Sequence, residues 1–276
     1  MDTDKNKFFY KYRSINENDL GTDHALKALF GSYSVFSSRI LFNDIFDSKI
    51  IFNRPTTSEL NLIRREALKI NKKKYKILCE YVNKGIVTAN GEKFLKDHEV
   101  ILNQMIDRYC FFCVSTKCNS NLMWAHYANS HRGFCIEFRA EHIPAQKVIY
   151  QKDIAEIELS DLIRMQVYSE MQDGLEIGNK IKDALLIKLE EWAYEDECRL
   201  HLSSDLDSVN LKNGYKNEQY TSDCVESIIF GCRTPGNIKK YIVDNMPYQV
   251  KYKEAVERKS EIKIIDSIQY SFSKKL

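Results

Sequence analysis

The sequence is poor in the residues that loosen a chain, with 10 Gly and 4 Pro in 276. That excludes collagen-like and linker-rich architectures, which rest on a high content of both. It also has little excess of one charge: 41 Lys and Arg face 39 Asp and Glu, leaving a net +2. A dominant electrostatic grip on nucleic acid is therefore not the default expectation, although a local basic patch is compatible with the total. No apolar run reaches the roughly 18 residues of a membrane span, and Met1 to Lys7 lack the apolar stretch of a secretory signal. No membrane partner is expected, and the expected location is cytoplasmic. Cysteine, at 8 residues, is too sparse for a disulfide scaffold, so free thiols are expected. Also missing are a glycine-rich phosphate loop, a G-x-S-x-G turn and an H-E-x-x-H helix, which removes the commonest enzyme signatures.

What is present is an ordered globular composition, 43% hydrophobic and 12% aromatic, long enough for one large core or two small ones. Aromatic and apolar runs predict strands at Phe8 to Arg13, Tyr33 to Phe36, Cys110 to Val114, Gly133 to Phe138, Cys198 to Leu202 and Val225 to Phe230. Further strands are expected at Gln249 to Ala255 and Glu261 to Ile265. Short helices are expected at His24 to Phe30, Asn121 to Ala128 and Asn237 to Asn245. Thr56-x-x-Glu59 has capping-box spacing and opens a long helical pattern to Gly85, with a break near Lys72; Gly91 to Asp107 repeats the pattern. Ile181, Leu185, Leu189 and Trp192 also lie at helical spacing, and the polar stretch Asn210 to Ser222 reads as a loop. The expected fold is α+β, a single domain over 1–276, with a mixed or mainly antiparallel sheet core and a helical-hairpin insertion at 56–107.

Polar residues inside apolar segments mark the candidate chemistry. Arg13 closes an aromatic strand, where a guanidinium can fork onto a phosphate or carboxylate or else pair with a structural acid. Ser37 and Ser38 follow a strand, and Asn43 to Asp47 reads as a turn whose Asx side chains cap the local backbone. His126 and Tyr127 stand on a short helix, and Arg132, before Gly133, is within reach of the same space. Glu195 and Glu197 are two apart at a strand start, with Arg199 on the same face, so they are either a coupled carboxylate pair or part of an ion-pair ladder. Lys72 to Lys74, the only dense basic cluster, reads as a solvated helix face. Cys110, Cys113 and Cys118 have a C-x2-C-x4-C spacing, but they lack a fourth ligand and sit in an apolar strand, so no metal site is expected.

Five stretches in order resemble one family, the bacterial domain family of unknown function two-nine-seven-one, over nearly the whole chain. They are Tyr10-Lys11-Tyr12-Arg13-Ser14; Phe36-Ser37-Ser38 running to Phe42-Asn43-Asp44-Ile45-Phe46-Asp47; Leu122 to Ala128 with His131-Arg132-Gly133; Trp192 to Glu197 with Arg199-Leu200; and Phe230-Gly231-Cys232-Arg233. The family usually has Pro where Ile45 stands. The resemblance implies a family whose members often sit among mobile-element and phage-defence genes. The order Arg13, Ser37-Ser38, Glu195-x-Glu197 is in turn similar to the Arg, Ser and Glu pattern of ADP-ribosyltransferases, with Phe36-Ser37-Ser38 in place of Ser-Thr-Ser. That resemblance implies an NAD-consuming toxin or defence effector with NAD as substrate. In it Glu197 is catalytic, Glu195 orients the acceptor, and Arg13, Ser37 and Ser38 hold NAD, while His126, Tyr127 and Arg132 line the site. The acceptor would be a protein or a nucleic acid. Two alternatives stay open: a metal-dependent nuclease using Glu195 and Glu197 with Asp44 or Asp47, and a non-catalytic sensor or interaction module. The oligomeric state is not readable.

Overall fold

The computed structural model describes residues 7–70, 72–168, 171–202 and 213–270. The fold is α+β with a mixed, mainly antiparallel sheet, and the chain divides into two compact units, 1–38 with 110–148 and 191–276, and 39–109 with 149–190.

The first unit is built on a ten-stranded sheet. Phe8–Arg13 lies in it between Cys110–Ser115 and Phe134–Arg139, and Val225–Phe230, Lys251–Arg258 and Glu261–Asp266 follow beyond Phe134–Arg139. Every pairing is antiparallel except Val225–Phe230 with Lys251–Arg258, whose parallel crossover is made by the helix Gly236–Asn245. Cys110–Ser115 pairs along its whole length with Glu197–Leu202 on one edge. Its other edge is shared: Ser37 and Ser38 pair with Phe111 and Cys110, and Tyr10 pairs with Ser115 at the far end. A strand has only two edges, so the sheet forks at this point, with Tyr33–Ser38 and Phe8–Arg13 as the two tines.

Both faces of the sheet are covered, which is why its strands read as continuous apolar runs rather than alternating ones. Phe134, Ile136 and Phe138 enter one core, with Leu26 and Leu29 of His24–Phe30 and with Ile238 and Ile242 of Gly236–Asn245. Cys135 and Ile229 point the other way, into a smaller core with Met123 and the fully buried Trp124 of Asn121–Tyr127. The Tyr12 ring meets Trp124 edge-on at 5.0 Å between centroids.

The second unit carries the helices Thr57–Ile70, Lys72–Tyr81 and Ala89–Ile106, with a short hairpin at Val82–Asn83 and Ile86–Val87 between the last two. The capping box is formed: Glu59 Oε2 accepts from the Thr56 N–H at 2.7 Å, and Thr56 Oγ1 accepts from the Glu59 N–H at 3.3 Å. Asp44 Oδ1 accepts from the Phe46 N–H at 2.9 Å, the Asx turn expected there. Asp47 is buried, with the buried Lys188 Nζ 3.3 Å from it. Lys72 and Lys73 are exposed on their helix. The expected helical insertion, 56–107, lies within this unit, which also takes in 149–190.

Two expectations are corrected. The helix read through Leu189 and Trp192 ends at Ala184, where the Leu185 N–H still bonds Ile181 O but the Leu186 N–H tightens onto Asp183 O. The chain then becomes a strand, Ile187–Leu189, and a 3-10 turn, Glu190–Glu195. The loop read at Asn210 to Ser222 contains the strand Tyr215–Gln219, paired with Tyr33–Ser38; residues 210–212 lie outside the described residues. With one edge paired among the described residues and alternating exposure, this strand needs little apolar content, which hid it.

Candidate functional site

A cleft of about 960 Å³ lies in the fork of the sheet, with Arg13 on one tine and Val35 on the other. The start of His24–Phe30 and the end of Asn121–Tyr127 complete its wall. Glycine sets the position of Arg13: a Cβ at Gly133 would stand 2.1 Å from the Arg13 carbonyl oxygen, so no other residue permits this approach without backbone movement. Gly133 is delivered there by three successive left-handed residues, Asn129 (φ 47°), Ser130 (φ 52°) and His131 (φ 68°), a run that L-residues rarely adopt. Three N–H groups tie it back to the preceding helix: Ser130 to Ala125 O at 3.1 Å, His131 to Trp124 O at 3.1 Å and Gly133 to Ala128 O at 2.8 Å.

Lys11, Arg13 and Lys27 bring three cations to the cleft, beside Asp23. Arg13 is half-buried and makes no hydrogen bond or ion pair with another side chain among the described residues. Burial lowers its pKa, and the Asp23 carboxylate opposes the shift. That carboxylate already accepts from the Leu26 and Asn16 N–H groups, each at 2.8 Å, as the cap of its helix. Lys11, two residues before Arg13 and on the same face of the strand, donates from Nζ to Cys113 O at 2.6 Å and sits 5.0 Å from the Phe112 ring centroid. Burial lowers its pKa to about 8; Arg13 adds to the shift, while Cys113, Glu197 and Glu195 oppose it. Lys27, His24 and His126 also line the cleft.

Behind the wall lies a buried acidic pair. Glu195 ends the 3-10 turn, and its Oε1 accepts from the Tyr127 hydroxyl, the side chain that faces the cleft. Glu197 opens the strand and is gripped by the fully buried Arg199 in a two-point fork, Nε to Oε1 at 2.7 Å and Nη2 to Oε2 at 3.3 Å. Between them Asp196 turns through a left-handed φ of 45° toward Lys117 (3.6 Å) and Lys147 (3.5 Å).

Of the residues singled out in the sequence, Arg13, His126 and Tyr127 line one cleft, and Glu195 is one hydrogen bond behind it. Glu197 is held by Arg199 and does not line the cleft. Ser37 and Ser38 lie in the strand ladder with Tyr215, Phe111 and Cys110, outside the lining, with Ser38 buried. Arg132 points elsewhere and forks onto Glu17 at the surface. Lys11, His24 and Lys27 were not singled out; Lys11 carries the one legible signal, a cation two before Arg13 within an aromatic strand. Among the described residues no group of three or more His, Cys, Asp or Glu side chains is placed to hold a metal ion, and no helix is long and apolar enough to cross a membrane.

Fold and site together define an α+β protein with a forked sheet, a cleft that carries Lys11, Arg13 and Lys27, and a buried acidic pair behind its wall. Residues 123–200 match the model of a family described as protein of unknown function (DUF2971), the family that the motifs resemble. The match takes in His126, Tyr127, Arg132, Glu195 and Glu197, whereas Arg13, Ser37 and Ser38 lie before it and Cys232 after it. No curated protein and no solved structure matches the chain.

Proposed function

We propose that this chain is an NAD-consuming enzyme of the ADP-ribosyltransferase or NAD glycohydrolase type, working in the cytoplasm as a toxin or phage-defence effector. One observation carries the reading: Arg13, which makes no hydrogen bond or ion pair with another side chain among the described residues, shares a cleft with His126 and with Tyr127, which is hydrogen-bonded to the buried Glu195. Arg13 and Lys11 bind the pyrophosphate, the first by its planar fork and the second as a point charge. Cleavage of the nicotinamide–ribose bond leaves the electron pair on nicotinamide and a cationic ribosyl carbon, which a nearby carboxylate stabilises without a metal. The order of motifs assigns that role to Glu197. The tie from Tyr127 favours Glu195 instead, with Glu197 and Arg199 bracing the strand that follows it.

The test is NAD binding and nicotinamide release by wild type, Arg13→Met, Glu195→Gln and Glu197→Gln. Arg13→Met is expected to weaken NAD binding about tenfold or more, the size of a lost charge-assisted fork. Glu195→Gln is expected to bind NAD and lose turnover. Wild type that neither binds NAD nor releases nicotinamide with any acceptor overturns the reading. A second reading, a sensor that binds an anionic nucleotide without cleaving it, is supported by both glutamates already having partners. Binding without turnover would select it.

A further inference from the structure

Two of the motifs place no residue in the lining of the cleft, and the fold brings them together at a second pocket. His131-Arg132-Gly133 and Gly231-Cys232-Arg233 are joined by backbone hydrogen bonds, the Gly231 N–H to Gly133 O and the Arg233 N–H to His131 O, both at 3.0 Å. Gly231 makes the approach possible, because a Cβ there would stand 2.2 Å from His131 O. The result is a pocket of about 280 Å³ that shares no lining residue with the cleft. Cys232 is partly exposed in it, and its Sγ lies 3.6 Å from His131 Nδ1.

A thiol beside an imidazole is the minimal arrangement for base-assisted nucleophilic attack. We propose that Cys232 is a nucleophilic thiol that takes up an acyl or alkyl group from a small electrophile, with His131 accepting the thiol proton. The Sγ–carbon bond forms as the bond from that carbon to the leaving group breaks. The leaving group departs with the bonding pair, and the thiol proton rests on Nδ1 until it passes to the leaving group or to water. Burial, with Arg233 adding, keeps the His131 pKa below the ordinary histidine range, while Glu257 opposes the shift. The ring is therefore neutral near pH 7 and able to accept the proton. The other charged groups facing the pocket are Lys259 and Glu261, the latter 3.0 Å from Lys263 Nζ.

The test uses the intact protein, limiting iodoacetamide, and mass-spectrometric quantitation of each cysteine, with the exposed Cys79 as the ordinary thiol. A solvent-exposed thiol reacts about tenfold faster per pH unit below its pKa near 8.5. A thiol served by a neutral imidazole reacts at a nearly constant rate over the same range. We therefore expect Cys232 to outpace Cys79 at pH 6.5 and to change less than about threefold up to pH 8. His131→Asn, chosen because asparagine tolerates the left-handed backbone, is expected to slow Cys232 about tenfold or more and leave Cys79 unchanged. A Cys232 rate that rises in parallel with Cys79 overturns the proposal, as does one unaffected by His131→Asn. The fully buried Cys110 and Cys135 report on folding; if they label in the variant, the wild-type pH profile alone decides.

Discussion

Replacing Lys11 with methionine removes a cation that the fold holds at a cost, and the cost depends on pH in a calculable way. Lys11 has a folded-state pKa of about 8 against 10.5 in the unfolded chain, chiefly because burial disfavours the ammonium form. Below pH 8 both states carry the proton and the whole penalty is present. Between pH 8 and 10.5 the unfolded chain keeps its proton while the folded one releases it, so wild-type stability rises with pH through this window. The linkage relation gives a relative gain of about 2.5 kcal/mol for wild type over Lys11→Met between pH 7 and pH 10. The lost hydrogen bond to Cys113 O shifts the variant's whole curve by about 1 kcal/mol and drops out of that difference. Burial holds the Cys113 thiol far above its ordinary pKa, and its titration, common to both proteins, largely cancels. Urea unfolding of both proteins at half-unit pH steps measures the quantity. Stability curves that stay parallel within about 0.5 kcal/mol from pH 7 to 10 would refute the claim that the fold holds this amine below its ordinary range.

Two further substitutions probe the framework around the site. Gly133→Ala places a methyl group 2.1 Å from the Arg13 carbonyl oxygen and is expected to cost about 3 kcal/mol in urea unfolding, with NAD affinity falling alongside; a loss under 0.5 kcal/mol would mean that the strand end has room. Arg199→Met removes the two-point fork on the buried Glu197 and is expected to cost about 3–5 kcal/mol, of which Glu197→Gln in the same chain restores a part. If the double variant is no more stable than Arg199→Met, the fork between the two residues is not what holds this strand.

Much of the sheet was legible because its strands are buried on both faces: the runs at Phe8 to Arg13, Cys110 to Val114 and Val225 to Phe230 fall where the strands are. Tyr215–Gln219 was not, since an edge strand paired on one side carries a polar sequence that reads as a loop. The Ile181 to Trp192 spacing misled because positions four and three apart also occur when a helix stops and a strand begins, as happens after Ala184. At the site, Arg13, His126 and Tyr127 were legible as polar residues at the ends of apolar elements. Their convergence was not, because it depends on the fork at Cys110–Ser115, a property of long-range pairing that leaves no local trace. Nor does spacing distinguish the carboxylate that Tyr127 ties to the cleft wall from the one that the arginine two residues on grips: Glu195 and Glu197 stand two apart in one short stretch.

The interleaving of the two units also dictates an order of assembly on the ribosome. Every residue of the second unit has been synthesised by residue 190, whereas the first still lacks its final stretch, from 191. Phe134–Arg139 waits for Val225–Phe230, and Cys110–Ser115 for Glu197–Leu202, so the sheet's inner strands emerge with one edge bare. During that interval the apolar stretches Cys110–Ser115 and Phe134–Arg139 each lack the strand that covers one edge, and the late strands supply it.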